Sequence, residues 1–172
     1  MGQPEIADQV IGANYLRSLP YVDDSRIAMM GWSYGGFMSL MALTEPEMGL
    51  ASAISGAPPT EWSLYDTGYT ERYMSTPQAN VEGYAASDVN LRLDNLTGRL
   101  LLMHGMADDN VIFENTTRVL NALQEKSIPF ETMLYPGQRH GIRGNDRQLH
   151  QWRTYLDFLD RTIGTRADTG GQ

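Results

Sequence analysis

The run Gly31-Trp32-Ser33-Tyr34-Gly35-Gly36 decides how the rest of the chain is read. It spells G-x-S-x-G, the pattern of a sharp turn that lifts a serine off the end of a strand and onto the start of a helix. The flanks suit that turn. Arg26-Ile27-Ala28-Met29-Met30 is a short apolar run, long enough for a buried strand and too short for a helix. Phe37-Met38-Ser39-Leu40-Met41-Ala42-Leu43 has helix-forming composition. Gly31 and Gly35 are expected to be glycine because a tight turn leaves no room for side chains beside the serine.

Working outward, residues 4–19 read as an amphipathic helix. Ile6, Val10, Ala13 and Leu16 recur at three and four, and Pro4 suits a first turn. Strands are expected at 26–30, 50–54, 100–103 and 130–135. Helices are expected at 37–43, 113–126 and 146–163, the last with Leu149, Trp152, Leu156, Leu159 and Ile163 on one face. Residues 58–90 lack a clear period and carry many aromatics. That is long for a connection and points to a functional excursion built from short helical pieces. Residues 164–172 read as a polar tail following a domain at 1–163. Strands alternating with helices imply an α/β fold, a mostly parallel sheet covered on both faces, with ligands beyond the carboxyl ends of its strands.

Composition excludes several classes. The 172 residues suffice for one domain with a real core, and the formal net charge of −8 argues against nucleic acid or an anionic membrane as partner. There is no cysteine, so disulfides, a thiol nucleophile and thiolate metal sites are excluded. No stretch approaches the ~20 apolar residues of a membrane span. Met1-Gly2-Gln3-Pro4-Glu5 has neither the basic nor the apolar region of a signal peptide.

A serine hydroxyl needs a base, and the base needs an acid to orient it; after this turn the chain order is Ser, then Asp or Glu, then His. The chain has three histidines. His104 directly ends a strand and reads as support for that turn. His150 lies within the last helix and reads as exposed or packing. His140, in Pro136-Gly137-Gln138-Arg139-His140-Gly141 directly after a strand, stands where a base belongs. The acid should come from His104-Gly105-Met106-Ala107-Asp108-Asp109-Asn110-Val111, where Asp108 or Asp109 qualifies; the other can cap the helix that follows.

Several motifs together resemble the prolyl oligopeptidase family, specifically its dipeptidyl peptidase IV branch. They are Gly31 to Gly36; Trp62 with Tyr65-Asp66 and Tyr69-Thr70-Glu71-Arg72-Tyr73-Met74; His104-Gly105 with Ala107-Asp108-Asp109-Asn110-Val111; and His140-Gly141. The resemblance implies an α/β-hydrolase-like fold and a serine peptidase cleaving after proline or alanine, without metal or cofactor. It implies Ser33 as nucleophile, Asp108 as acid and His140 as base, with the backbone N–H of Tyr34 in the oxyanion hole. Trp62, Tyr65 and Tyr69, with Tyr34 and Val111, would line an apolar pocket for proline or alanine, and Asn110 would hydrogen-bond a substrate carbonyl.

The same resemblance places the first strands of a hydrolase sheet, and a β-propeller, ahead of the stretch matched here. On that reading the strand at 26–30 becomes an edge with an apolar face. The partners expected are a peptide substrate and either a second copy of the chain or a partner supplying the remaining strands. A non-catalytic half-domain and a general serine esterase are the alternatives to the peptidase.

Overall fold

The computed structural model describes residues 1–164. Apart from Gly164, the expected polar tail lies outside the described residues. Four strands, β1 (Ala28–Trp32), β2 (Ser52–Gly56), β3 (Arg99–Gly105) and β4 (Glu131–Tyr135), form one sheet in the order β1-β2-β3-β4. All three pairings are parallel. The carboxyl ends of β1 and β2 are level, Trp32 pairing with Gly56, while β3 and β4 end together at Gly105 and Tyr135, two residues further on, since Gly56 pairs with Met103. The helices between and around them are α1 (Gln3–Arg17), α2 (Tyr34–Leu43), α3 (Thr67–Met74), α4 (Val81–Ala86), α5 (Glu114–Glu125) and α6 (Asn145–Thr162).

The alternation of a strand divides the core between two faces. Ala53, Leu100 and Leu102 join α1, α2 and α5 through Ile6, Phe37, Leu40, Val119 and Leu123. Ile54, Leu101 and Met103 join α6 through Tyr155 and Phe158. Each face is thus covered by helices, as a parallel sheet requires. None of the described helices is long and apolar enough to cross a membrane.

Several expectations need correction, among them the second strand, which runs Ser52–Gly56 and not 50–54. The first strand begins two residues late because Asp23 caps a tight turn, accepting the Ser25 amide, and that turn takes up Arg26. The apolar row on α6 does not face the sheet. Leu149, Trp152 and Leu156 are 50%, 57% and 59% exposed, while Tyr155 and Phe158 are buried and Leu159 packs only partly. The side that meets the sheet is the one carrying Tyr155 and Phe158, which that row omits. On α1, Ile6 and Ala13 are buried but Leu16 is exposed.

β1 has one strand neighbour among the described residues, as expected of an edge, and Met30 is exposed on it. Beside it a groove of about 350 Å³ runs between α1 and β1, with Ala13, Leu16, Ile27, Met29 and Leu50 in its walls. The excursion after β2 contains short helical pieces: a turn at Trp62–Leu64, α3, α4 and a turn at Val89–Asn95.

Candidate active site

Ser33 sits between β1 and α2 with φ 60° and ψ −120°, a conformation rare outside glycine. The turn is made possible by close backbone approach at two neighbours. A Cβ at Gly31 would run into the Gly35 backbone, and one at Gly36 into the Gly56 carbonyl. A Cβ at Gly35 meets nothing, so the second required glycine is Gly36 and not Gly35 as expected. The Ser33 amide is anchored on the Gly56 carbonyl at 2.8 Å. Tyr34 is the first residue of α2, so its backbone N–H has no carbonyl behind it within the helix.

His140 lies in the loop after β4. Its Nε2 is 2.9 Å from Ser33 Oγ and its Nδ1 is 2.8 Å from Asp108 Oδ2. The Asp108 side chain is fully buried. Its Oδ1 accepts from the amides of Asn110 (2.9 Å) and Val111 (3.0 Å), and its Oδ2 also accepts from His104 Nε2 at 3.0 Å. The neighbouring Asp109 points to solvent and pairs with Arg139 at 2.7 Å. Of the two candidate acids, Asp108 is the one brought to His140. Because His140 can donate from Nδ1 to a carboxylate, its Nε2 is left to accept the serine proton.

The two loops are sewn together. The Ala107 amide donates to the Gln138 carbonyl at 2.9 Å and the Met106 amide to Tyr135 at 3.0 Å. A Cβ at Gly105 would strike the Gln138 and Arg139 carbonyls, so the loop carrying His140 crosses directly over it. The Trp32 indole N–H donates to the His140 carbonyl at 2.7 Å. Sequence reading assigned Trp32 no role, although it is the x of G-x-S beside the serine.

The aromatic excursion folds over the start of α2. Trp62 is 2% exposed, stacked on Tyr69 (6.0 Å, 19°) and within 6 Å of Tyr34, Phe37 and Tyr65. It is the floor of an aromatic patch whose accessible rim is Tyr34, Tyr65 and Tyr69. The Tyr65 hydroxyl donates to Asn110 Oδ1 at 2.9 Å, bringing both expected substrate contacts to one place. Val111 is buried beneath them. Two further residues were not foreseen. Buried Asn115 accepts the Thr60 amide at 2.8 Å and so fixes the approach to Trp62. Glu5 accepts the Tyr34 hydroxyl, and burial together with that contact pushes the phenol strongly upward, so its proton stays on Tyr34. Glu5 itself is held below the usual range: burial opposes this, but Tyr34 and the Gly2 amide outweigh it. His150 is exposed and its Nδ1 lies 3.1 Å from the Tyr135 hydroxyl, away from the serine.

A serine on a strand-to-helix turn, facing an imidazole and a carboxylate at the carboxyl edge of a parallel sheet, is the arrangement of an α/β-hydrolase-like fold. Comparison with known proteins narrows this. The model of the prolyl oligopeptidase family matches residues 1–166, and the chain belongs to that family. It is 42% identical over 170 residues to dipeptidyl peptidase 8 of Homo sapiens, covering 96% of this chain and 19% of that protein. It is 38% identical over 162 residues to dipeptidyl peptidase 4 of Sus scrofa, covering 92% and 21%. The crystal structure of Porphyromonas gingivalis dipeptidyl peptidase 4 superposes with a TM-score of 0.92 at 38% identity, covering 95% of this chain and 23% of the other. The chain thus spans about a fifth of the length of the relatives it matches.

Proposed function

We propose that Ser33, His140 and Asp108 act as a catalytic triad for peptide-bond hydrolysis through an acyl-serine intermediate. The observation that carries this is the unbroken hydrogen-bonded line from Asp108 through His140 to Ser33. Ser33 Oγ attacks the scissile carbonyl while His140 Nε2 takes its proton. The Tyr34 N–H donates to the oxygen as it gains negative charge. The C–N bond breaks, His140 returns the proton to the departing amine, and the acyl group stays on Ser33. Water then adds with His140 again as base, releasing the acid and restoring the serine.

The rim of Tyr34, Tyr65 and Tyr69 over Trp62 is the apolar surface proposed to take a proline or alanine side chain, with Val111 behind it and Asn110 on a substrate carbonyl. Rigid aromatic walls suit the flat pyrrolidine ring, which has little conformational freedom to lose. The names of the relatives, dipeptidyl peptidases 8 and 4, support a peptide as the substrate. Metal and cofactor play no part in the proposed steps.

The test is intact-mass detection of a fluorophosphonate adduct. One adduct per chain, lost in Ser33→Ala, supports the triad; a folded chain that never acylates removes it. Proline and alanine peptide substrates against small acyl esters then separate a peptidase from a general esterase.

A second reading is favoured by the edge position of β1 among the described residues and by the apolar groove beside it. Here the chain is a half-domain that becomes active only when a second copy or another polypeptide completes the sheet. A cooperative unfolding transition in a well-behaved, labelling monomer counts against it.

A further inference from the structure

Two imidazoles, not one, meet at Asp108. His104 lies at the end of β3, its side chain fully buried. Its Nε2 is 3.0 Å from Asp108 Oδ2 and 2.9 Å from the Val111 carbonyl, and both of these only accept. Nε2 therefore carries a proton. On the far side of the ring, Nδ1 is 2.7 Å from Thr116 Oγ1 on α5. Burial holds the ring below its ordinary titration range despite the neighbouring carboxylate, so the ring is neutral and Nδ1 keeps a lone pair. The Thr116 hydroxyl, able to rotate, donates to it. The edge of the Phe113 ring closes the remaining side, with ring centroids 5.5 Å apart at 85°.

We propose that His104, fixed as its Nε2–H tautomer by Thr116, is a positioning residue that sets how the Asp108 carboxylate faces His140. The inference rests on the triad reading above. Two backbone amides occupy Oδ1 and His104 occupies one side of Oδ2, which leaves Oδ2 one open direction, toward His140 Nδ1. His104 also ties Val111 to the same point, so the carboxylate and the loop that carries it move together. A donor on Oδ2 has an electrostatic consequence as well. It draws off part of the carboxylate charge that stabilises a proton on His140. Besides Asp108, the titratable group nearest this cluster is His140, across the carboxylate; Thr116 and Phe113 from α5 and its approach bring no charge.

A histidine that only fills space between β3 and α5 would affect stability alone. The distinguishing readout is the pH profile of fluorophosphonate labelling in the full chain and in His104→Gln, His104→Leu and Thr116→Val. Glutamine can place an N–H near the position of Nε2; leucine cannot. Labelling of His104→Leu is expected to fall ~10–100-fold, the scale of a small misplacement of reacting groups. Its acid limb is expected to move to higher pH, as the unshared carboxylate favours a proton on the imidazole facing it. His104→Gln should stay within ~3-fold with the limb unmoved, and Thr116→Val should fall between the two. In ¹⁵N-histidine spectra the wild-type His104 ring should show as neutral Nε2–H.

An Nδ1–H tautomer at His104 overturns the proposal. So does a folded His104→Leu whose acid limb stays in place, whatever its rate. If the wild-type chain does not label at all, the assignment of Ser33 as nucleophile falls. The His140 Nδ1 resonance then decides alone: displacement in His104→Leu with retention in His104→Gln upholds the positioning role, and indifference to both removes it.

Discussion

The indole N–H of Trp32 donates to the carbonyl of His140 at 2.7 Å, across 108 residues of sequence. The side chain next to the proposed nucleophile therefore holds the loop that carries the proposed base. The same ring lies against Gly56, where a Cβ would collide with it. Trp32→Phe keeps most of the ring and removes the donor. It is expected to lower fluorophosphonate labelling ~10-fold or more, because the His140 carbonyl is released and the imidazole loses its fixed distance from Ser33. Labelling rate against the thermal midpoint checks this: a loss of rate with the midpoint nearly unchanged is the expected outcome, and an unchanged rate denies Trp32 the role.

The paired glycines of the turn make opposite predictions. A Cβ at Gly36 meets the Gly56 carbonyl oxygen, which belongs to the strand and cannot yield cheaply, whereas Gly35 faces open space. Gly36→Ala is expected to cost ~1–3 kcal/mol or to prevent folding, as overpacking does. Gly35→Ala, inside α2 and without steric conflict, is expected to leave stability unchanged or raise it by up to ~1 kcal/mol, the helical preference for alanine. Urea unfolding of the two variants side by side gives the sign of each.

Much of this arrangement was legible from the chain because strand-to-helix turns and strand-end loops announce themselves locally. Ser33, Asp108 and His140 each follow a strong apolar run, and a parallel sheet brings all such ends to one edge. What escaped were contacts between distant side chains. Nothing near Trp32 or Asn115 in sequence signals their partners at His140 and Thr60. Gly35 and Gly36 both follow the serine, and only the path of β2 shows that Gly36 is the one without room for a side chain. Likewise α6 carries two apolar rows, and periodicity alone does not say which meets the sheet; the row with Tyr155 and Phe158 does.

Acid should weaken the fold in two separate windows. Burial lowers the titration of His104 in the folded chain below its ordinary 6.5. The unfolded chain then binds more protons as pH falls below that value, so stability is full above pH ~6.5 and is lost on going down toward the lowered folded value. Glu131 is also lowered, by its hydrogen bond to Arg161 and its pairing with Arg161 and Arg99, but from 4.5. Its contribution persists through the histidine window and is lost only at lower pH, as the carboxylate takes a proton. Thermal midpoints between pH 7.5 and 5 should fall in the wild type and fall less in His104→Gln. Equal slopes in the two would remove His104 as the source.

The outward row of Leu149, Trp152 and Leu156 on α6 is the surface on which we expect a second copy of the chain to dock. Each is half or more exposed, and at spacings of three and four they form an apolar strip along about two turns of one helix. The free edge of β1, with Met30 exposed, offers a competing route to association through strand pairing. The two are separable because they lie on different elements. Leu149→Glu with Leu156→Glu places charge on the strip while leaving Tyr155 and Phe158 in the core, so stability should change by no more than ~0.5 kcal/mol per site. Met30→Lys guards the strand edge in the way natural edge strands are guarded. Sedimentation velocity over a range of concentrations is expected to show wild-type self-association that the α6 variant abolishes and Met30→Lys leaves intact. If Met30→Lys abolishes it instead, the copies meet through β1. The sheet would then be extended by a second chain, and the half-domain reading would gain over that of a self-sufficient enzyme.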